Sequence, residues 1–387
     1  MIRQSTLGQV ATYINGRAFK PAEWETVGLP IIRIQNLTDG KAKCNYSSAQ
    51  HDPKFQVRNG DLLFAWSASL GAHIWRGGDA WLNQHIFRVV PHDGIDKMYL
   101  YYYLCNVVAE LYSKTHGSGM VHITKGPFMA TPIPVPTLEE QKRIVAKIEE
   151  LFSELDNGVE TLRKTKQQLA VYRQAVISAA FPEMTKENTV RLDEIADISG
   201  GITKGRDLSK QETMHLPYLR VANVQNGYLD LSQMKTIELK VSEKDKYLLR
   251  SGDVLYTEGG DRDKLGRGTV WNDEIPNCVH QNHVFKARLD QAKATPRYVA
   301  YWSMSAFARN YFYTKGKQSV NLASINKTVL SALTLPLPSL PEQESVLQEI
   351  ESRLSVCDQI EKTVDTALQQ AEAMRQSILK KAFEGEI

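Results

Sequence analysis

The chain has 387 residues, of which 42% are hydrophobic and 24% charged, so it can bury a core and hold two or three domains. Its formal net charge is +3, its four cysteines are scattered without CxxC spacing, and no apolar run is long enough to cross a membrane. These features argue against a membrane-spanning protein, a disulfide framework and a zinc site. Because the N-terminal residues also lack the apolar stretch of a signal peptide, we expect a cytoplasmic protein.

One pattern occurs twice along the chain. A globular segment at residues 1–137 precedes a helical segment at 138–187, and a second globular segment at 188–338 precedes a second helical segment at 339–387. Residues 137–181 and 339–383 align without a gap at an offset of 202. Such an internal repeat predicts two halves built on the same plan.

Each globular segment carries short β-like runs separated by glycine, asparagine and aspartate turns. The runs at 29–36, 57–64 and 83–87 correspond, in the same order, to those at 216–223, 249–256 and 281–285. We therefore predict an α+β fold in which each globule is dominated by a twisted sheet with a few short helices. The connecting loops differ between the halves. This difference predicts one scaffold with different ligand contacts, because recognition residues usually lie on loops.

The helical segments have apolar residues at alternating spacings of four and three, which is typical of a coiled-coil seam. The seam positions are Ile148, Phe152, Leu155, Val159, Leu162, Lys166, Leu169, Arg173, Val176 and Ala180, and then Ile350, Leu354, Cys357, Glu361, Val364, Leu368, Ala371, Arg375, Ile378 and Ala382. Arg173 and Arg375 are equivalent polar exceptions. Each either lies on a polar flank with its alkyl stem packed along the seam, which we favour, or fixes the register or contacts a partner. Cys357 is expected to be a small buried hydrophobic residue.

The two helices start in the same way. Thr137 with Glu140, and Ser339 with Glu342, have capping-box spacing, and each pair follows an extended Pro-x-Pro segment that disfavours helix. A helix of about 44 residues spans roughly 66 Å, whereas a globule of about 150 residues has a radius of gyration near 15 Å. The second globule is too compact to carry the chain back along the first helix. We therefore predict antiparallel helices and a pseudo-two-fold relation between the halves.

Charge is segregated between the segments. The globular segments carry net charges of +4 and +5, while the helical segments carry −1 and −5. Positive globules joined by acidic helices suit an anionic partner that only the globules contact. The alternative is that helices simply tolerate glutamate well and the rest of the pattern follows. We favour the functional interpretation.

The order of globule, Pro-x-Pro, Leu-x-Glu-Gln helix, second globule and second helix ending in Ala-Phe resembles the specificity subunit of type I restriction–modification enzymes. The resemblance extends over essentially the whole chain, and it is most specific at residues 134–141 with 173–181 and 336–343 with 375–383. It implies that each globule is a target recognition domain that reads one half of a bipartite site in double-stranded DNA. It also implies that the helices set the gap between half-sites and carry two methyltransferase subunits, and that restriction (translocase) subunits complete the complex.

The same resemblance assigns the chemistry to the partners. S-adenosylmethionine would be bound by the methyltransferase subunit, and ATP and Mg by the restriction subunit, so no cofactor or metal is expected in this chain. The sequence itself has no GxxxxGK[ST] phosphate loop and no Asn-Pro-Pro-aromatic or Asp-Pro-Pro-aromatic methyltransferase motif. Glycine-rich stretches at 200–205 and 259–268 have the wrong spacing for a phosphate loop. They are expected to be turns, or points where the backbone approaches a phosphate.

Candidate DNA contacts are basic, amide, hydroxyl and aromatic residues on loops and at matched positions of the two globules. They are Arg17, Lys20, Asn36, Trp66, Ser67, Ser69, Gln84, His85, Lys114, His116 and Lys125 in the first globule, and Lys204, Arg206, Asn223, Arg262, Lys264, Arg267, Gln281, Asn282, Lys315, Lys317 and Gln318 in the second. His85 and its counterpart His283 either contact DNA or satisfy hydrogen bonds at a strand edge. Trp66 either stacks at the DNA surface or belongs to the core, and single surface lysines often serve only solubility.

Together these observations predict a non-catalytic subunit that recognises DNA and scaffolds partners, with globules that read base edges in the major groove. The alternative is a coiled-coil assembly scaffold whose globules bind proteins. If the helices act as a rigid ruler, four residues inserted near Gly158 should lengthen the preferred spacer between half-sites by about one or two base pairs.

Overall fold

The computed structural model of the chain describes residues 3–39, 42–113, 123–318 and 322–387. The chain forms two compact units. The first unit contains residues 1–162 and 366–387, and the second contains residues 163–365. Each long helix therefore contributes one part of its length to each unit. No described helix is both long enough and apolar enough to cross a membrane.

The first globule consists mainly of short strands, followed by helices. Its elements are β1 (Arg3–Thr6), α1 (Leu7–Val10), β2 (Ala11–Asn15), β3 (Leu29–Ile32), α2 (Ile34–Thr38), β4 (Asn45–Ser47), β5 (Gln56–Val57), β6 (Leu62–Ala65), β7 (Gly71–Ile74), β8 (Ala80–Leu82), β9 (Ile86–Pro91), α3 (Lys97–Ser113), α4 (Lys125–Met129) and β10 (Pro132–Val135), after which α5 (Leu138–Ala179) begins. Strand β6 lies between two other strands and is buried along its length, which explains why its sequence is apolar without alternation.

Three sheets organise the described strands of this globule. Their strand orders are β2-β9-β6-β7, β4-β3-β8-β5 and β1-β10. Asn15 at the end of β2 pairs with Phe87, and Ala65 at the end of β6 pairs with Ile86. The ends of β2 and β6 therefore lie beside the turn that connects β8 to β9.

The second globule repeats this plan with different connections. Its elements are β11 (Thr189–Arg191), β12 (Ala196–Gly200), β13 (Thr213–Leu219), β14 (Lys235–Lys240), α6 (Lys244–Tyr247), β15 (Val254–Thr257), β16 (Gly259–Gly260), β17 (Gly268–Val270), β18 (Val279–His280), β19 (Val284–Leu289), α7 (Pro296–Met304), α8 (Ala306–Lys315), β20 (Lys317–Gln318), β21 (Ala323–Ser324), α9 (Lys327–Ser331) and β22 (Thr334–Pro336), followed by α10 (Leu340–Glu384). The sheets are β12-β19-β15-β17, β14-β13-β18, β16-β21-β20 and β11-β22.

The register of the strands also repeats. Gly200 pairs with Phe285 at the end of β12, as Asn15 pairs with Phe87 at the end of β2. The predicted α+β class is therefore confirmed, although the strands of each globule form several small sheets instead of one. The helical stretch after Tyr99 is the single helix α3, whereas its counterpart is divided at Ser305 into α7 and α8.

The long helices run antiparallel within each unit. In the second unit, Lys166 contacts Asp365 and Arg173 contacts Asp358, both at 2.7 Å, so residues later in α5 meet residues earlier in α10. In the first unit, residues of α5 share one apolar core with residues of α10, namely Ile148 and Phe152 with Leu379 and Ala382. Most predicted seam positions are buried or half-buried, including Cys357 at 1% exposure, whereas Lys166 is exposed.

Both arginines of the seam make ion pairs across the helix pair. Arg173 contacts Asp358 at 2.7 Å and Glu361 at 2.9 Å. Arg375 pairs with Asp156, and its guanidinium lies 4.5 Å from the centre of the Phe152 ring. Both arginines are half-exposed, as expected for the polar flank of the seam that we favoured. The specific charge pairing adds a contribution to register that alkyl packing alone would not give.

A capping box has two hydrogen bonds, and each helix start forms a different one of them. In α5 the Thr137 hydroxyl accepts a hydrogen bond from the Glu140 N–H at 3.3 Å, while the Glu140 carboxylate pairs with Arg143. In α10 the Ser339 N–H donates to the Glu342 carboxylate at 2.9 Å. Each start therefore satisfies a different donor of the cap.

A buried glutamine fastens each globule to the helix that follows it. The amide of Gln141, which is 0% exposed, donates to the carbonyls of Gly94 and Pro136 at 3.0 and 2.9 Å, and its oxygen accepts from the Asp96 N–H at 2.8 Å. The equivalent Gln343 makes three such bonds at 2.9 Å, with Lys293, Pro338 and Thr295. The Leu-x-Glu-Gln motif is therefore a clamp as well as a helix start.

The C-terminal end of a long helix packs against each globule. Phe383 of α10 packs edge-on against Tyr99 and Tyr103, with ring centres 5.2 and 5.0 Å apart. The Tyr99 hydroxyl donates to the Pro134 carbonyl at 2.8 Å. In the second unit the corresponding residues are Phe181, Tyr298, Trp302 and Pro336. The repeated Ala-Phe and Pro-x-Pro motifs thus meet within each unit.

Candidate nucleic-acid interface

The same backbone frame surrounds the turn between β8 and β9 and the turn between β18 and β19. In the first globule the backbone N–H of Trp66 donates to the His85 carbonyl at 3.0 Å, and the Trp66 carbonyl accepts from the backbone N–H of Ile123 at 3.1 Å. In the second globule the same bonds, at 2.9 and 2.8 Å, connect Glu258 with His283 and Ile325. Trp66 and Glu258 therefore occupy equivalent positions beside equivalent histidines.

The first loop surface consists of Arg17, Trp66, Gln84, His85 and Lys125. The backbone N–H of Gln84 donates to the Arg17 carbonyl at 2.8 Å, which joins the backbones of these two candidate residues. The Arg17 guanidinium, however, pairs with Glu23 at 2.5 Å. The Lys20 N–H, and then the Arg17 side chain, lower the pKa of Glu23, so this pair persists at neutral pH.

Trp66 is half-buried and held in a fixed orientation. Its indole N–H donates to the Asn15 side-chain oxygen at 3.0 Å, its ring stacks on Phe87, and the His85 ring lies 4.8 Å away. His85 has a positive φ of 73°, which is uncommon for a residue with a side chain. Its Nδ1 is buried with no hydrogen-bond partner in the part of the chain that the structure describes. The tryptophan thus borders both core and surface.

The second loop surface consists of Lys204, Glu258, Gln281, Asn282 and His283. His283, whose side chain is 52% exposed, contacts the Glu258 carboxylate through Nδ1 at 2.5 Å. A β-bridge between Ile202 and Gln281 brings the loop of Lys204 beside this turn. Where the first globule presents an aromatic pair, the second presents an ionisable pair on the same frame.

Basic residues flank the second loop surface. Arg262 donates to the Tyr313 carbonyl at 3.1 Å, and its guanidinium lies 4.6 Å from the Tyr313 ring centre, which joins the predicted loop at 262–267 to the end of α8. Lys264 pairs with Asp261, whose carboxyl pKa is lowered mainly by this contact, and Arg267 donates to Gln225 at 3.1 Å. Lys315, Lys317 and Gln318 follow on the exposed surface.

Some predicted contacts are engaged inside the globules. Asn223, 2% exposed, accepts from the Arg220 N–H at 3.0 Å and donates to the Asp230 carbonyl at 2.8 Å. Asn36 holds the equivalent turn, and Ser67 is 2% exposed. Burial of Asn223 and Ser67, and the hydrogen bonds of Asn36 and Asn223 within their turns, favour a structural role for these side chains. Direct DNA contact by the three residues stays a prediction. Arg206 is half-buried and bound by both oxygens of Glu243.

The remaining candidates stay predictions. Lys20, Ser69, Gln84, Lys125, Lys204, Lys315, Lys317 and Gln318 are exposed, while Gln281, Asn282, Lys264 and Arg267 are half-buried. Lys114 and His116 lie outside the described residues. Within the described ranges, Lys20, Lys125, Lys315 and Lys317 have no ion pair, so their charges face solvent.

Glu258, Tyr13 and Asn15 line this region but were absent from the predicted set. Nothing in the sequence marks them, because their proximity depends on how β2, β6 and the β8–β9 turn align. Among the described residues, no group of three histidine, cysteine, aspartate or glutamate side chains is placed to hold a metal ion.

Comparisons with known proteins place these features in a family. The family described as Type I restriction modification DNA specificity domain matches residues 3–169 and again residues 184–370. The Type I restriction enzyme EcoBI specificity subunit of Escherichia coli is 26% identical over 414 residues, covering 99% of this chain and 85% of that protein. The StySPI specificity subunit of Salmonella potsdam is 29% identical over 412 residues, covering 98% and 87%.

Solved structures agree on the fold. A chain from a structural study of complex assembly and conformational transition of the type I R-M system has a TM-score of 0.68 at 19% identity, covering 100% of this chain and 98% of that one. The HsdS subunit from Thermoanaerobacter tengcongensis has a TM-score of 0.52 at 20% identity, covering 100% and 97%. The double match of the family across both halves is the same repeat that the helices and loop surfaces display. This chain therefore belongs to the specificity subunits of type I restriction–modification systems.

Proposed function

We propose that each globule of this specificity subunit reads one half of a bipartite DNA target. The observation that supports this most directly is the pair of loop surfaces. One backbone frame carries Trp66 and His85 in the first globule and Glu258 and His283 in the second. A common backbone frame with different side chains suits two domains that both bind DNA but prefer different bases.

The side chains on these surfaces have the chemistry that DNA recognition uses. Glutamate accepts a hydrogen bond from the cytosine amino group, and amides such as Gln84 and Asn282 can bond both polar atoms of the adenine edge. The exposed lysines, which are Lys20, Lys125, Lys315 and Lys317, provide phosphate contacts that position the protein without reading sequence.

The chemistry of modification and cleavage belongs to partners in this proposal. The methyltransferase subunits bind S-adenosylmethionine and the restriction subunit binds ATP and Mg, so the specificity subunit is itself non-catalytic. Two methyltransferase subunits would dock on the long helices. Tyr172 of α5 and Met374 of α10, which are equivalent in the repeat, are 50% and 53% exposed and offer matched apolar contacts for two copies of one partner.

Salt dependence tests the DNA-binding role. The chain, assembled with its methyltransferase partners, is titrated with a target duplex at salt concentrations from about 50 to 200 mM. Four phosphate contacts predict a slope of log affinity against log salt of about −3.6 and a loss of roughly 100-fold over this range. Lys125→Gln should reduce the slope by about 1, whereas Lys186→Gln, on an exposed connecting segment, should leave it unchanged.

Binding that does not change with salt, or an equal effect of both lysine variants, would contradict the proposal. Either result would favour the alternative in which the globules bind proteins. The target duplex for this experiment comes from sequencing the methylated positions of the host genome, which gives both half-sites and the spacer.

A further inference from the structure

The first globule contains a cavity of about 500 Å³ beside the first loop surface. Its lining includes Tyr13 and Asn15 of β2, Trp66 after β6, Phe87 of β9 and Lys125 of α4. Asn15 and Lys125 are exposed, so the cavity opens on the face that carries the candidate DNA contacts. A single nucleobase is small enough to enter a space of this volume.

Tyr13, one of the residues that line this cavity, carries an unpartnered hydroxyl. Tyr13 is 8% exposed, and its hydroxyl has no hydrogen-bond partner within the described ranges. Buried hydroxyls are normally paired, because leaving one unpaired loses the bonds that it would make to water. A ligand whose polar edge reached this buried hydroxyl would supply the missing partner.

The walls are flat and fixed in place. Trp66 and Phe87 are nearly parallel, with an angle of 28° between their planes, and the hydrogen bond to Asn15 prevents the indole from rotating. Tyr13 packs edge-on against Phe87 with ring centres 5.8 Å apart. Aromatic walls favour a planar ligand, and preorganised walls lose little entropy when the ligand binds.

Aromatic walls, an unpartnered hydroxyl and a neighbouring lysine suit the planar base and the phosphate of a nucleotide. We infer that this cavity receives one unstacked base of the DNA bound to the first globule, with Tyr13 bonding its edge and Lys125 its phosphate. The inference rests on the proposed function, since it presumes that the first loop surface faces DNA. Stacking on an aromatic side chain offsets the cost of removing a base from the duplex.

The second globule lacks the same cavity walls. The positions of Tyr13, Asn15 and Trp66 are occupied by Ile198, Gly200 and Glu258, as the shared strand register shows. Ile198 has no polar atom on its side chain, Gly200 has no side chain, and Glu258 is paired with His283. The base pocket is therefore a property of the first globule, and the half-site read by that globule is the one that should be distorted.

The test measures how strongly Trp66 is coupled to each base of the first half-site. A series of target duplexes, each with one abasic position in that half-site, is titrated with the methyltransferase-assembled subunit. Wild type is compared with Trp66→Ala, with the ring-conserving Trp66→Phe and Tyr13→Phe, and with Glu258→Gln as the matched variant in the second globule. The ratio of two affinities on one duplex cancels the added flexibility of the abasic site.

On the intact duplex, Trp66→Ala should weaken binding by roughly 10- to 100-fold, as expected for loss of one stacked base. At one abasic position this loss should disappear, and the smaller loss from Tyr13→Phe, about 2- to 10-fold, should disappear at the same position. Trp66→Phe should retain most of the affinity, and Glu258→Gln should give one constant ratio across the first half-site.

A Trp66→Ala ratio that is constant at every abasic position would overturn the inference while leaving sequence-specific recognition intact. Tight binding of free deoxynucleoside monophosphates that Trp66→Ala abolishes, together with a constant ratio on the duplexes, would overturn it as well. If wild type bound the target no better than a scrambled duplex, the proposed function itself would fail, and this outcome is distinct from the first two.

Discussion

Replacing Gln141 with leucine should weaken the attachment of the first globule to α5. Leucine is close to glutamine in volume but has no polar atom, so the three backbone groups that Gln141 satisfies would lose their partners. The site is fully buried, with Gln141 0% exposed, so water cannot reach these groups without opening the junction. The side chain of Gln141 therefore holds the first globule against α5.

The magnitude follows from the three bonds. A buried donor or acceptor left unpaired costs about 1–3 kcal/mol, and an N–H costs more than a carbonyl that retains other contacts. One N–H and two carbonyls therefore give a loss of about 3 kcal/mol or more. For a unit of this size, each kcal/mol lowers the thermal midpoint by about 2–4 °C. Gln141→Leu should lower it by roughly 6–12 °C.

Differential scanning calorimetry of the full chain measures this shift. Gln343→Leu should give a decrease of similar size, because the second unit repeats the clamp. Gln168→Leu, at an exposed position of α5, is the control and should change stability by less than about 0.5 kcal/mol. A Gln141→Leu midpoint that differs from this control by less than about 2 °C would refute the argument that the clamp is a strong contact.

Four further outcomes are expected. Burial lowers the pKa of His280 from 6.5 to about 4, so between these pH values the unfolded chain is protonated at this residue while the folded chain is not. The free energy of unfolding should therefore fall by roughly 3 kcal/mol as pH decreases from 6.5 to 4, and urea titrations should show a weaker pH dependence for His280→Asn than for wild type. Arg173→Met should cost less than about 1 kcal/mol, because its ion pairs are partly solvated, and the cost should shrink in about 1 M salt. The isolated chain, incubated with DNA, S-adenosylmethionine, ATP and Mg, should neither methylate nor cleave, and turnover in a preparation free of partner subunits would disprove this. A chimaera with a foreign segment at about residues 1–135, assembled with methyltransferase partners, should direct methylation to a motif changed in one half-site, so a change in both half-sites would count against independent globules.

The long helices could be predicted closely because their signal is local and repeated. Many seam positions recur at regular spacing, and the Pro-x-Pro segments place the helix starts within a residue or two of Leu138 and Leu340. The segment boundaries at residues 137, 187 and 338 stay predictions. The repetition of the β-like landmarks in the two globules could also be predicted, because they occur twice in the same order along the chain.

The individual contacts were harder to predict, because they depend on residues distant in sequence. Gln141 was recognised as part of a motif, but its role depends on Gly94 and Asp96, whose positions relative to α5 no local pattern gives. Asn36 and Asn223 are candidate DNA contacts because they are amides at matched positions of the two globules. The Arg-x-x-Asn spacing in both halves was a signal for a hydrogen-bonded turn, and it would have predicted their structural role.

The pairing of Glu258 with His283 could not be inferred, because the loops around Trp66 and Glu258 differ in length. Without the strand register, a tryptophan and a glutamate give no indication that they occupy one position. The positive φ of His85 is likewise a property of the folded turn and not of its sequence.

The composition of the first unit has a consequence for how the protein is made. This unit needs residues 366–387, whereas the second unit is continuous in sequence at residues 163–365. At about 5–20 residues per second, a ribosome takes roughly 10–45 s to pass from Leu162, the end of the first part of this unit, to Phe383. During that interval Tyr99 and Tyr103 lack the ring that covers them, so the globule synthesised first is the one completed last. A nonsense mutation near the end of the gene would then damage the globule encoded at its beginning.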